Sequence, residues 1–168
     1  MSVQTTYKFS SPVGSPGGIV DLTPHAIDSF LNAENTGVMK FGVGVVRGTR
    51  AGIEVKLPVA ASTAAVFEGV VVNNRTTEYD LEGVAHLRKG KALGVMRYGR
   101  IYVRVATGVS PAYGDAVYLV KSGDEAGYFS NVATNNLAIQ GRFLGGVDSA
   151  SGVAAVELFN APNGEVGN

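Results

Sequence analysis

Residues 91–105 read Lys-Ala-Leu-Gly-Val-Met-Arg-Tyr-Gly-Arg-Ile-Tyr-Val-Arg-Val, and residues 113–119 read Tyr-Gly-Asp-Ala-Val-Tyr-Leu. Ile101, Val103 and Val105 alternate with Arg100, Tyr102 and Arg104. A period of two with one apolar and one polar side is the pattern of a half-buried β-strand. Gly99 breaks that strand from a preceding one over residues 93–98. A turn follows at residues 108–111, and Gly114-Asp115 opens another strand over 116–121. Short strands joined by tight turns predict a β-meander.

The flanks continue in the same style. Strands are predicted over residues 38–47, 53–57, 66–73, 78–87, 137–144 and 153–159. Residues 66–73 are almost continuously apolar, which predicts a strand buried on both faces. Residues 58–65 and 122–128 read as loops, and 148–152 as a hairpin turn. One helix is predicted over residues 23–31. Thr23 suits a cap, Pro24 suits the first helical position, and Ile27, Phe30 and Leu31 recur at helical spacing. Residues 11–18 are Ser, Pro and Gly rich, which excludes a helix or a central strand. Yet Tyr7, Phe9, Ile19, Val20 and Leu22 are apolar, so residues 1–22 read as an extended arm that docks on its own barrel or on a neighbour. The predicted organisation is an arm (1–22), a β domain (23–160) and a Pro, Gly and Asn rich tail (161–168). The fold class is all-β: a barrel-like domain or sandwich of about nine short strands with one short helix.

Composition narrows the function. The chain has 168 residues, 45% of them apolar, which is enough for one domain with a true core. Its 23 glycines suit tight turns. Fourteen basic residues balance fourteen acidic ones, which argues against general nucleic-acid binding. Cysteine is absent, so disulfides, thiolate metal sites and cysteine nucleophiles are excluded. Residues 1–10 lack the apolar core of a signal peptide, and no apolar run reaches the roughly 18 residues of a membrane span. The expectation is a soluble chain made in the cytoplasm.

Patterns with apparent chemistry are weak. His25, Asp28 and Ser29 resemble a triad only by proximity, because a working triad draws its groups from separate segments. Glu78, Asp80 and Glu82 share one face of a predicted strand but lack the ligand pattern of a calcium loop. The glycines at 42, 44 and 48 mimic a dinucleotide fingerprint, but the last is one residue late and a strand follows where a helix is required. Asn74-Arg75-Thr76 matches a glycosylation acceptor without a secretory context. No catalytic residue, metal or cofactor is therefore expected. Arg88, Lys89, Lys91, Arg97, Arg100 and Arg104 lie in a stretch with no acid between Glu82 and Asp115. That asymmetry reads either as a patch facing an acidic partner or as a solvated strand face.

The order of these pieces resembles a known family. Gly17-Gly18-Ile19-Val20-Asp21 comes first, then residues 38–46 with Phe41-Gly42, Val55-Lys56-Leu57-Pro58 and Phe67-Glu68-Gly69-Val70. The strands around Ile101 and Val117, Phe143-Leu144 and residues 153–158 complete it. The series is similar to the capsid cement, or decoration, proteins of tailed bacteriophages. The resemblance implies a β-barrel-like virion protein on the outer face of the head, synthesised in the bacterial host cytoplasm. It implies a homotrimer that clamps the major capsid protein, with no catalytic residues and no small-molecule substrate. On this reading the partner-binding candidates are Tyr7, Phe9, Ile19, Val20, Leu22, Arg88, Lys89 and Lys91. The alternative from a different class is a receptor- or glycan-binding head-fibre or tail module, with Tyr98, Tyr102, Tyr113, Tyr118 and Tyr128 as candidate site residues.

Overall fold

The computed structural model describes residues 13–74, 78–79 and 85–159. Its strands are β1 (Ala26–Asn32), β2 (Gly44–Arg47), β3 (Glu54–Lys56), β4 (Phe67–Val71), β5 (Glu78–Tyr79), β6 (Ala85–His86), β7 (Ala92–Arg104), β8 (Ala116–Val120), β9 (Phe129–Ser130), β10 (Asn136–Phe143) and β11 (Val153–Phe159). The protein is all-β. Among the described residues the only helical turn is a 3-10 turn at Ala64–Val66.

Nine strands form one sheet in the order β1-β3-β2-β4-β7-β11-β10-β8-β9, and β5 pairs with β6 separately. The order conceals a closure. β1 also pairs antiparallel with β7, from Ala26 opposite Tyr98 to Leu31 opposite Ala92. Strands β1, β3, β2, β4 and β7 therefore close into a five-stranded barrel. Beyond β7 the sheet runs on through β11, β10 and β8 to β9, where Val105 bridges Phe129 and the Ala106 amide donates to the Phe129 carbonyl at 2.9 Å. The second half thus curls back to the end of the strand it left.

Each half has its own core. Phe30, Val43, Val45, Val55, Val71, Leu93 and Val95 fill the barrel. Ile101, Val103, Val117, Leu119, Phe129, Phe143, Val156 and Leu158 fill the second half, joined by Phe67, Val70 and Met96. All five residues of β4 are buried because Val71 faces one core while Phe67 and Val70 face the other. The continuous apolar run of that segment is what a wall between two cores requires.

Strand β7 serves both halves. Leu93 and Val95 point into the barrel, and Ile101 and Val103 point into the second core. All four are odd-numbered, so the strand must roll between them. Gly99 supplies the roll with φ 122, a backbone conformation that a residue with a Cβ rarely takes. The expected break at Gly99 is corrected here to a change of face within one 13-residue strand.

The predicted helix over residues 23–31 is also corrected, because those residues run into β1. Local signals favoured a helix, but a helix of nine residues is marginal alone. Pairing on two sides, with β3 in parallel and β7 antiparallel, supplies the backbone bonds instead. Thr23 caps no helix; its amide and hydroxyl both donate to the Asp21 carboxylate. Strand β2 begins at Gly44, so the predicted strand from residue 38 starts too early. Strand β9 falls just beyond the predicted 122–128 loop, a pairing of two residues that leaves no period to read. Residues 161–168 lie outside the described residues.

Candidate partner-binding surface

The polar face of β7 is stitched to its neighbours by arginines. On the barrel, Arg97 contacts Asp28 of β1 at 3.2 Å and Glu68 of β4 at 3.8 Å, and Glu68 accepts a 2.9 Å bond from Arg47 of β2. Glu68 is 5% exposed, and these cations are what make its burial tolerable. On the second half, Arg100 bonds Asp21 at 2.9 Å and Glu157 of β11 at 3.0 Å, and Glu157 bonds Arg142 of β10 at 2.7 Å. Desolvation pushes the Glu157 carboxyl up, but the bonds and charges of Arg142 and Arg100 outweigh it and hold the group below its usual range. Asp21 is held low by the hydroxyl and amide of Thr23 and by Arg100. Arg104 donates to the Phe41 carbonyl at 2.9 Å. Arg97, Arg100 and Arg104, half of the basic stretch, therefore serve contacts within the chain.

The described part of the arm lies on β7. Gly17 donates to the Tyr102 carbonyl at 2.8 Å, Tyr102 to the Gly18 carbonyl at 2.9 Å, and Val20 to the Arg100 carbonyl at 3.0 Å. Ile19 bridges Ile101. Gly17 fits because a Cβ there would stand 2.7 Å from the Val71 carbonyl and the Asn73 amide. Gly14 sits against the Tyr102 ring, where a Cβ would collide with the ring carbons. Of the arm's candidate side chains, Ile19 is 39% exposed and Leu22 97%, while Val20 is half-buried. Tyr7 and Phe9 lie outside the described residues.

Arg88, Lys89 and Lys91 are exposed on the turn between β6 and β7. Asn32, only 1% exposed, holds that turn. Its side-chain amide donates to the carbonyls of Leu87 at 3.1 Å and Arg88 at 3.3 Å, its own carbonyl accepts from Gly90 at 2.7 Å, and its amide donates to Lys91 at 2.9 Å. The Lys89 ammonium reaches Asn35 at 3.4 Å. Sequence reading missed Asn32, since nothing local marks an asparagine whose partners lie 55 and 56 residues away. Glu157 was missed for the same reason: its role follows only from its register opposite Arg100 and Arg142.

The five tyrosines do not line one groove. Tyr98 and the 68% exposed Tyr113 lie on the second half, where Arg142 stacks 5.7 Å from the Tyr113 ring and 5.9 Å from the Phe159 ring. Tyr102 is under Gly14. Tyr128 is elsewhere, beside Lys40 in an open cleft of about 370 Å³ lined also by Val38, Leu57 and Asp124. Asp28 pairs with Arg97, and His25 contacts the Thr23 carbonyl at 3.0 Å, so the triad-like trio makes no relay. Among the described residues no group of three or more His, Asp or Glu is placed to hold a metal. Asp80 and Glu82 lie outside them.

Comparison with known proteins adds three findings. The family model described as "Structural cement protein (E217 gp24/Pam3 gp6)" matches residues 3–159. A chain from "The capsid of Myoviridae Phage XM1" is similar in structure, with a TM-score of 0.72 and 20% identity over 96% of this chain and 100% of that one. No curated protein sequence matches.

Proposed function

Because the chain belongs to the structural cement protein family and has a capsid structural role, we propose that it is a non-enzymatic decoration protein that binds the major capsid protein on the outer surface of a phage head and stabilises its joints. Family membership across residues 3–159 is the observation that carries this reading. A cement acts by adding buried contact across joints, and about 1,600 Å² suffices for a stable interface. The fold suits that task, since two charge networks and two cores make a rigid β body to carry the contacting segments.

The contacts we assign to the capsid are the arm and the basic turn. Residues 1–22 carry Tyr7, Phe9, Ile19, Val20 and Leu22, and the outward set of Ile19 and Leu22 offers apolar area beyond the body. Arg88, Lys89 and Lys91 would meet an acidic strip. A homotrimer places three such arms and turns on the lattice together, and each extra attachment then acts at high effective concentration. The test is to heat heads with and without the protein. A raised rupture temperature is expected, and equal temperatures refute stabilisation. Removing residues 1–22 should reduce retention on heads; unchanged retention removes the arm from the interface. The receptor- or glycan-binding reading draws on Tyr98 and Tyr113, and binding of the purified protein to host cells but not to heads would favour it.

A further inference from the structure

We propose that the face built by Tyr98, Tyr113, Arg142 and Phe159, with Leu22 on its rim, is where copies of this chain meet about a symmetry axis. This rests on the homo-oligomer in the reading above and names the surface that makes it.

Three strands, the segment between β7 and β8 that carries Tyr113, and the arm build this face. Phe159 of β11 is the cross-strand partner of Tyr98 on β7. Arg142 of β10 lies opposite Glu157 and is stacked between the Phe159 and Tyr113 rings. Leu22 follows Asp21, which Arg100 ties to the same charge network. Exposures are 97% for Leu22, 68% for Tyr113, 44% for Phe159 and 38% for Tyr98. Large aromatic side chains bury about 150–250 Å² each, so the face presents on the order of 400 Å² of apolar area. That is roughly half of the ~800 Å² one partner gives to a standard interface, and a patch of this size is often a functional one.

Charge decides what covers it. Arg100 and Arg142 are cationic, Asp21 and Glu157 anionic, and all four are bonded to one another in a row. The face is neutral, so a strongly acidic or basic partner gains nothing from it. Arg142 gives its Nε and one terminal nitrogen to Glu157, so an anion at this face would meet that carboxylate beside the cation. What the face offers is aromatic area around a 40% exposed arginine already paired to a carboxylate, residue types enriched at protein interfaces. The chain's formal net charge is zero, so its own copies approach without repulsion.

The experiment is sedimentation of the full chain and of Tyr113→Ser/Phe159→Ser, with Tyr128→Ser as a control in the separate cleft. The wild type and Y128S should sediment as the same oligomer. The double variant should fall to the 17.4 kDa monomer, or dissociate at least 100-fold more readily, with an unchanged circular dichroism spectrum. Four results overturn the proposal: a double variant of wild-type mass, a wild type that is monomeric at high micromolar concentration, a chain ending at residue 159 that assembles far more tightly because the tail had covered the face, or glycan binding that the double variant loses while assembly is kept. Retention on heads, measured in parallel, separates the two ideas. An oligomer that needs this face but does not bind heads sinks the cement reading alone. Retention with assembly unchanged in the double variant sinks only this one.

Discussion

Gly99→Ala tests whether the roll in β7 is what joins the two halves. At φ 122 an alanine is conformationally strained, at a cost of about 1–3 kcal/mol. Its Cβ would stand 2.6 Å from the His25 Cβ and 3.2 Å from the His25 Cα. Those atoms belong to the residue just before β1, whose backbone is paired to β7 from Ala26 onward and cannot swing aside, so overpacking adds roughly another 1–3 kcal/mol. The expected loss is about 2–6 kcal/mol, a large share of the ~5–15 kcal/mol that holds a domain of this kind together. A double-mutant cycle divides the two parts. His25→Gly removes the clashing Cβ, and since His25 is exposed it should cost only about 0.5–1 kcal/mol by itself. In the His25→Gly background, Gly99→Ala should keep its conformational cost and lose most of its steric cost, giving a coupling of about 1–2 kcal/mol. The assay is urea unfolding followed by circular dichroism at fixed protein concentration. A single variant within about 0.5 kcal/mol of wild type, or a coupling of zero, would show that neither the dihedral nor the His25 contact constrains β7.

Two further outcomes follow from the site geometry. Asn32→Ala leaves the carbonyl of buried Leu87 without its side-chain donor and should cost about 1–3 kcal/mol; hydrogen exchange at residues 87–91 should rise more than elsewhere, and uniform change would count against a local role. The folded-state pKa values of Glu157, Asp21, Asp115 and Asp148 all lie below their ordinary values of 4.5 for Glu and 3.8 for Asp. The folded form therefore binds fewer protons than the unfolded one, and this stability is complete above those ordinary values and lost as pH falls through the lowered ones. Denaturation midpoints should hold steady from pH 7 down to about 5 and then decline, with a shallower decline in Glu157→Gln; a flat profile to pH 3 would refute the linkage.

The fold class was legible because period two is written plainly in Ile101 to Val105, and because the apolar run around Val70 has nowhere to go except between two buried layers. Where the reading failed, distant partners decided. Residues 26–32 carry a helical spacing that local physics cannot overrule, and only the strands at residues 54–56 and 92–104 do so. The basic stretch was visible as a composition, but its division was not. Arg97 and Arg100 are consumed by Glu68, Asp28, Asp21 and Glu157, all of them far away in sequence, whereas Arg88, Lys89 and Lys91 remain exposed on their turn. The neutral aromatic face escaped for a similar reason. Tyr113, Arg142 and Phe159 come from three segments, and a single sequence does not say that they are neighbours.

The sharing of β7 also imposes an order on synthesis. The barrel has all its strands once residue 98 has left the ribosome, because Tyr98 is the last residue that β1 pairs with. The second half needs β11, which ends at Phe159. A nascent chain stalled between those points carries a closed barrel whose β4 presents Phe67 and Val70 bare to water, since their cover is not yet made. Those two side chains, with Met96 beside them, are where a chaperone would find the half-made protein, and where crowded nascent copies would first stick to each other.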